Sequence, residues 1–126
     1  MQGLHLTADC YDCLCDIQLL QDVAILGDAC LKAVADNGLT SVGQLFHSFA
    51  SPTCPEAGVT ATILLAESHM CIHTWPELKA ATLDVYVCNF SSDHSDKARG
   101  LMNDLLRLFK AEMVEPHTLH RGLMLP

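Results

Sequence analysis

The stretch "LLAESHMCIHTWPE", residues 64–77, gathers side chains that could do chemistry: Glu67, Ser68, His69, Cys71, His73 and the chain's single tryptophan, Trp75. Serine hydrolysis needs a nucleophile on a tight G-x-S-x-G turn with His and acid partners. Here Ser68 is flanked by Ala66-Glu67 and His69-Met70, with no glycine. A zinc protease needs H-E-x-x-H on a helix; His69 and His73 have no glutamate after the first histidine and lie in an extended, proline-bounded run. Cys10, Cys13 and Cys15 invite a zinc reading, but the second ligand pair would have to come from His69, Cys71 and His73 at non-standard spacing. Taken singly, each residue has an ordinary structural use: Ser68 as a turn residue, His73 as a hydrogen-bonded neighbour of Trp75, Asp84 as a paired or solvated carboxylate, Cys88 as packing. Their combination is what asks for an explanation.

The elements that must position them follow from periodicity. Residues 4–11 alternate Leu4, Leu6, Ala8, Cys10 against His5, Thr7, Asp9, Tyr11, the pattern of a half-buried strand. Residues 17–37 change to helical spacing, with Leu20, Val23, Ala24, Cys30, Leu31 and Val34 in one stripe and Gly38 as a stop. An extended pattern resumes through Phe49, and "ASPTCPEAG" (50–58) is a loop. Residues 59–66 and 81–88 read as strands, Ser95 as the cap of a second helix reaching Phe109, and 113–120 as a last strand. The expected order is β-α-β-β-β-α-β in one domain, residues 1–126. This is an α+β fold: a two-layer αβ sandwich, its sheet mainly antiparallel, with both helices on one face. The other face is expected to carry His47, Phe49, Tyr86 and Cys88.

Composition narrows the function. Half of the 126 residues are hydrophobic and 17% charged, as in a globular chain. A net charge of −8 with only seven Lys and Arg argues against nucleic acid, whose binding rests on basic side chains. No apolar run approaches the ~20 residues of a membrane span, and the N-terminus lacks a signal core, so a cytoplasmic, non-membrane protein is expected. Seven cysteines, an odd number, then read as reduced thiols.

"AESHMCIHTWPE" closely resembles the self-processing segment of prokaryotic S-adenosylmethionine decarboxylase proenzymes, E-S-H-x-x-I-H-T-W-P-E. "LHLTADCYDC", "FHSF", "GVTATILLAESH" and "LDVYVC" extend the resemblance over most of the chain. It implies that Ser68 attacks the Glu67 carbonyl and that β-elimination cuts the chain into 1–67 and 68–126. Ser68 becomes a pyruvoyl group, with no pyridoxal phosphate and no metal. Such a ketone makes physical sense: decarboxylation of an α-amino acid leaves electrons on the α-carbon, and a carbonyl condensed with the substrate amine accepts them.

Residue by residue, the resemblance makes His73 the proton acceptor in processing and Cys88 the donor that reprotonates the product. Thr60 stands where the family has a processing serine and keeps the hydroxyl. Glu77 is expected on the substrate ribose, Phe49 on the adenine, and Asp9 near the substrate. A homodimer of processed units, acting on a small molecule for spermidine synthesis, completes the expectation.

The chain departs from the family after the tryptophan, reading "PELKAATLD" where "P-E-Y-G-Y-A-A" is common, and its loop after Phe49 is longer. The alternative is therefore a pyruvoyl decarboxylase of ornithine or arginine. A non-processing regulatory homologue and a zinc-binding module are the rivals from other classes.

Overall fold

The computed structural model describes residues 2–122. Strand β1 (Gly3–Cys13) is followed by helices α1 (Gln18–Gln21) and α2 (Val23–Asp36), then by strands β2 (Ser41–Ser48), β3 (Val59–Leu65) and β4 (Ser68–Trp75). A 3-10 turn over Pro76–Leu78 leads to β5 (Ala80–Cys88), α3 (Ser95–Phe109) and β6 (Ala111–Arg121). The six strands form one sheet in the order β2-β3-β4-β5-β1-β6, antiparallel at every junction.

The α+β class and the antiparallel sheet agree with the sequence reading. Two elements differ from it. Residues 68–75 form a further strand, β4, inserted between the two strands expected at 59–66 and 81–88. The expected single helix over 17–37 is broken at Asp22, whose extended backbone and carboxylate cap α2 by accepting from the N–H groups of Ala24 and Ile25. Ser95 is not the cap of α3: His94 holds that position, and Asp93 accepts the Ser95 N–H at 2.9 Å.

Strict alternation gives the sheet two faces. One is dry. Leu4, Leu6, Ala8 and Cys10 of β1, Val59, Ala61 and Ile63 of β3, Met70 and Ile72 of β4, and Leu83, Val85 and Val87 of β5 are buried in one core. Leu26, Cys30 and Val34 of α2 and Leu101, Leu105 and Phe109 of α3 join them. This burial of large apolar side chains is the main term holding the fold, at ~25 cal/mol per Å2 removed from water.

The cysteine group belongs to that core. Burial, with neighbouring Cys13 and Asp9, pushes the Cys10 thiol up to about 12. Burial also pushes Cys13 up to about 11, with Cys15 and Asp12 adding to it. Both therefore stay protonated near neutral pH, as small packing groups of the core.

The other face is polar, and the strand registers order it into rows. One row crosses the sheet as Leu64, His69, Tyr86, His5 and Leu119. The next runs Leu45, Thr62, Cys71, Asp84, Thr7 and His117, and a third His47, Thr60, His73, Thr82, Asp9 and Glu115. The side chains expected on this face, His47, Tyr86 and Cys88, occupy it in this alternation, and Phe49 stacks edge-on to His47 with ring centroids 4.7 Å apart.

Candidate active site

At one end of β4, a two-residue turn, Ala66–Glu67, joins β3 to β4. Glu67 adopts a left-handed backbone with φ of +62°, a conformation that glycine or asparagine normally takes in a tight hairpin. Ser68 follows, 9% exposed, in the same alternation as Met70 and Ile72. Its Oγ accepts the backbone N–H of Cys88, the last residue of β5, at 3.3 Å. The Glu67 carboxylate accepts from the Ser91 hydroxyl at 3.0 Å. The backbone of the strand-end cysteine thus meets the nucleophile and the bond before it, while alternation puts the Cys88 side chain on the polar face and Ser68 in the buried set.

At the other end of β4, Thr60 Oγ1 and His73 Nδ1 are 3.1 Å apart. With Nδ1–H donating to Thr60, Nε2 presents its lone pair as a base. His73 also lies against Trp75, ring centroids 6.2 Å apart. Phe49, 56% exposed, is at this end of the sheet, because β2 runs in the same sense as β4. Asp9 shares the row of His73, two strands away. Glu77 lies beyond Trp75 and borders a cavity of about 240 Å3 with Ile17, Gln21, Cys54 and Glu56.

The two ends do not meet within one chain. Ser68 and His73 are five residues apart on an extended strand, a separation of roughly 17 Å. Ser68, Glu67 and Cys88 therefore form one half-site; Thr60 and His73, with Phe49, Asp9 and Glu77 on the same side, form the other.

Between them lies a cluster the sequence reading did not single out. The His5 and His69 rings flank Tyr86 in its row, at centroid distances of 5.7 and 5.5 Å. Both Nε2 atoms turn to one oxygen of Asp84, His5 at 3.3 Å and His69 at 3.8 Å. The three are the group among the described residues that could hold a metal ion, their donor atoms all within 4.8 Å. Cys71, next to Asp84 in its row, has its thiol pushed up by burial, with the Thr62 hydroxyl opposing and Asp84 adding to the shift. The Tyr86 ring also carries the Arg121 guanidinium, 5.2 Å from its centroid, and covers Gly3, where any Cβ would strike the ring. Only the register, which puts residues 5, 69 and 84 side by side, reveals this cluster.

Fold and site define a small α+β protein with one polar sheet face and a hydroxyl buried beside a left-handed hairpin residue. The S-adenosylmethionine decarboxylase family model matches residues 4–122. The chain belongs to the S-adenosylmethionine decarboxylase family. It is 35% identical over 121 residues to the S-adenosylmethionine decarboxylase proenzyme of Caldanaerobacter subterraneus subsp. tengcongensis, covering 96% of this chain and 89% of that one. It is 38% identical over 120 residues to the proenzyme of Acidithiobacillus ferrooxidans, covering 95% and 82%. The crystal structure of the adenosylmethionine decarboxylase from Aquifex aeolicus VF5 superposes with a TM-score of 0.80 at 29% identity, covering 97% of this chain and 92% of that one. No described helix is long and apolar enough to cross a membrane.

Proposed function

We propose that this chain is a pyruvoyl-dependent S-adenosylmethionine decarboxylase that matures by cutting itself between Glu67 and Ser68. The observation that carries the proposal is the Ser68 hydroxyl. It is buried next to a left-handed Glu67, accepts the Cys88 N–H, and has no acceptor for its own proton among the described residues. A hydroxyl that receives an N–H while its own proton stays uncommitted is suited to attack the adjoining carbonyl. The pyruvoyl group that would result supplies an electron sink for the carboxylate lost from the substrate. The rest falls to side chains. His73, oriented by Thr60, takes the proton that β-elimination releases, and Cys88 returns a proton to the product.

Because the half-sites lie roughly 17 Å apart, the reading requires a second copy. Two chains paired through their polar faces, with the dyad lying between the sheets and perpendicular to β4, run their β4 strands in opposite senses. The His73 end of one then covers the Ser68 end of the other, twice by symmetry. The homodimer is thus a condition of the chemistry in this proposal.

Relatives that bear the name S-adenosylmethionine decarboxylase proenzyme support that substrate over ornithine or arginine. Denaturing intact-mass measurement is expected to give residues 1–67 and 68–126, the second beginning with pyruvoyl, and Ser68→Ala to stay full length. Purified enzyme is expected to release carbon dioxide from S-adenosylmethionine and not from ornithine or arginine. Wild-type protein that stays uncut, or release from ornithine alone, would end the proposal.

A further inference from the structure

The chemistry proposed for Glu67–Ser68 leaves one product unaccounted for: a new negative charge on the Glu67 main chain. A cavity of about 340 Å3 lies beside that residue, bordered by Thr40, Ala66, Glu67, Ser91, His94 and Lys97. Three features fit it to an anion. His94 Nδ1 is buried with no partner among the described residues, while its Nε2 is engaged with the Ser92 hydroxyl at 3.0 Å. The Lys97 ammonium has no ion pair among the described residues and reaches only the Gly38 carbonyl, at a long 3.4 Å. Both residues belong to the start of the 15-residue helix α3, the positive end of its dipole. Of the three nearby carboxylates, Asp93 accepts the Ser95 N–H and Glu67 accepts from Ser91, while Asp96 in the first turn of α3 is exposed.

We propose that this cavity receives the α-carboxylate of Glu67 as the leaving group of self-cleavage, with Lys97 and His94 as the groups that stabilise it. The inference rests on the self-cleavage reading. In the first step the Ser68 Oγ bonds to the Glu67 carbonyl carbon, the Glu67–Ser68 C–N bond breaks, and the Oγ proton passes to the nitrogen, giving an ester. In the second, a base removes the Ser68 Hα, a Cα–Cβ double bond forms, and the Cβ–Oγ bond breaks with its electron pair on Oγ. That oxygen and the former carbonyl oxygen are now the Glu67 α-carboxylate. The first step passes through a tetrahedral oxyanion that is lost again when the ester forms, whereas the second leaves a lasting carboxylate, so a cation beside Glu67 favours the second step most. Left-handed strain at Glu67 relaxes in the same event, since the cut frees its φ from the hairpin.

The test follows freshly synthesised full-length protein over time on denaturing gels, with and without mild, neutral hydroxylamine, which cleaves an ester at Glu67–Ser68; any cut at the Asn37-Gly38 peptide, which hydroxylamine also attacks, is told apart by fragment size. Lys97→Met is expected to slow the appearance of the 68–126 fragment roughly 10-fold to 100-fold, less than an enclosed oxyanion donor would because the cavity is open to water. A hydroxylamine-sensitive full-length species should accumulate meanwhile. Lys97→Arg should restore the rate, and His94→Phe should show the same accumulation. Cleavage of Lys97→Met at the wild-type rate overturns the inference, as does a stall without hydroxylamine sensitivity, which would place the effect on the first step and not on the leaving carboxylate. Wild-type protein that never cuts instead overturns the self-cleavage reading on which the inference stands.

Discussion

Strand β4 buries two hydroxyls, Ser68 at one end and Thr74 near the other, 9% and 5% exposed. Thr74 Oγ1 is fully committed: it donates to the Leu20 carbonyl at 2.7 Å and accepts the Val59 N–H at 2.8 Å, tying β4 to α1 and β3. Ser68 Oγ accepts one N–H and donates to nothing among the described residues. A hydroxyl engaged in both directions holds a fold, because moving it strands two buried partners. One engaged in a single direction keeps a proton and a lone pair for reaction. The difference separates structure from chemistry on one strand.

The largest effect expected from breaking this comparison lies at the ends themselves. His73→Ala alone should stay full length, as should Ser68→Ala. Co-expressed, the two chains form mixed dimers in which the intact His73 of the Ser68→Ala chain covers the Ser68 of its mate. Only the His73→Ala chain should then be cut, which a size tag on either chain would show by mass. No cutting in the mixture would mean that His73 serves its own chain, and the face-to-face arrangement would have to be abandoned.

Next in size is the stability contrast. Thr74→Val leaves the Val59 N–H and the Leu20 carbonyl without partners, and each lost partner costs about 1–3 kcal/mol. Ser68→Ala unpairs only the Cys88 N–H, in a part-buried bond of 3.3 Å, and should cost about 1 kcal/mol, the low end for one lost partner. Urea unfolding of Thr74→Val in a Ser68→Ala background removes cleavage as a complication. Equal midpoints for the single and double variants would erase the distinction between the two hydroxyls.

How much of this was legible in the sequence follows from the same residues. The alternations in residues 4–11 and 81–88 carry apolar side chains at every buried position, so those strands and their faces read directly. In β4 the buried positions begin and end with hydroxyls, Ser68 and Thr74, and the open ones are His69, Cys71, His73 and Trp75. Polar residues at both ends of the buried set hide the period of two. Missing that strand conceals the separation: Ser68 and His73 look adjacent in a motif, and only an extended backbone puts them far apart. The break at Asp22 is hidden for a related reason, because the apolar stripe continues across it. Asp84 reads in the sequence as a paired or solvated carboxylate, but its pairing with His5 and the meeting of Glu67, Ser91 and Lys97 at one cavity come from distant segments brought together by the fold.

Thiols extend the contrast between committed and uncommitted groups. Cys10 is pushed up to about 12 from an ordinary 9.0, chiefly by burial. Its folded-state value lies above the unfolded one, so its contribution to stability is complete below pH 9 and is lost as pH rises from 9 towards 12. Each such thiol should steepen the alkaline decline by about 1.4 kcal/mol per pH unit across that window. Cys10→Ala should be less stable near neutrality yet show a shallower decline above pH 9. Parallel curves for the two proteins between pH 9 and 11 would show that Cys10 is not titrating from a buried, protonated state.

The smallest effect compares two left-handed residues near opposite ends of β4, Glu67 at φ +62° and Lys79 at φ +48°. Lys79 stands where the resembling pattern P-E-Y-G-Y-A-A has its glycine, so the chain keeps the glycine conformation with a lysine that fits it poorly. A side chain there costs about 1–2 kcal/mol, partly offset by the chain entropy that glycine loses on folding. Lys79→Gly should therefore stabilise the protein by roughly 0.5–1 kcal/mol and leave the cleavage rate unchanged. Glu67→Gly relieves the same kind of strain but does so beside the bond to be cut. It should slow cleavage, because the uncut chain is relaxed and the Ser91 contact is lost. Chemical denaturation and cleavage time courses on both variants decide the matter. If both glycines stabilise alike and cleavage is equally fast in each, the strain at Glu67 is an accident of a tight hairpin and contributes nothing to the reaction.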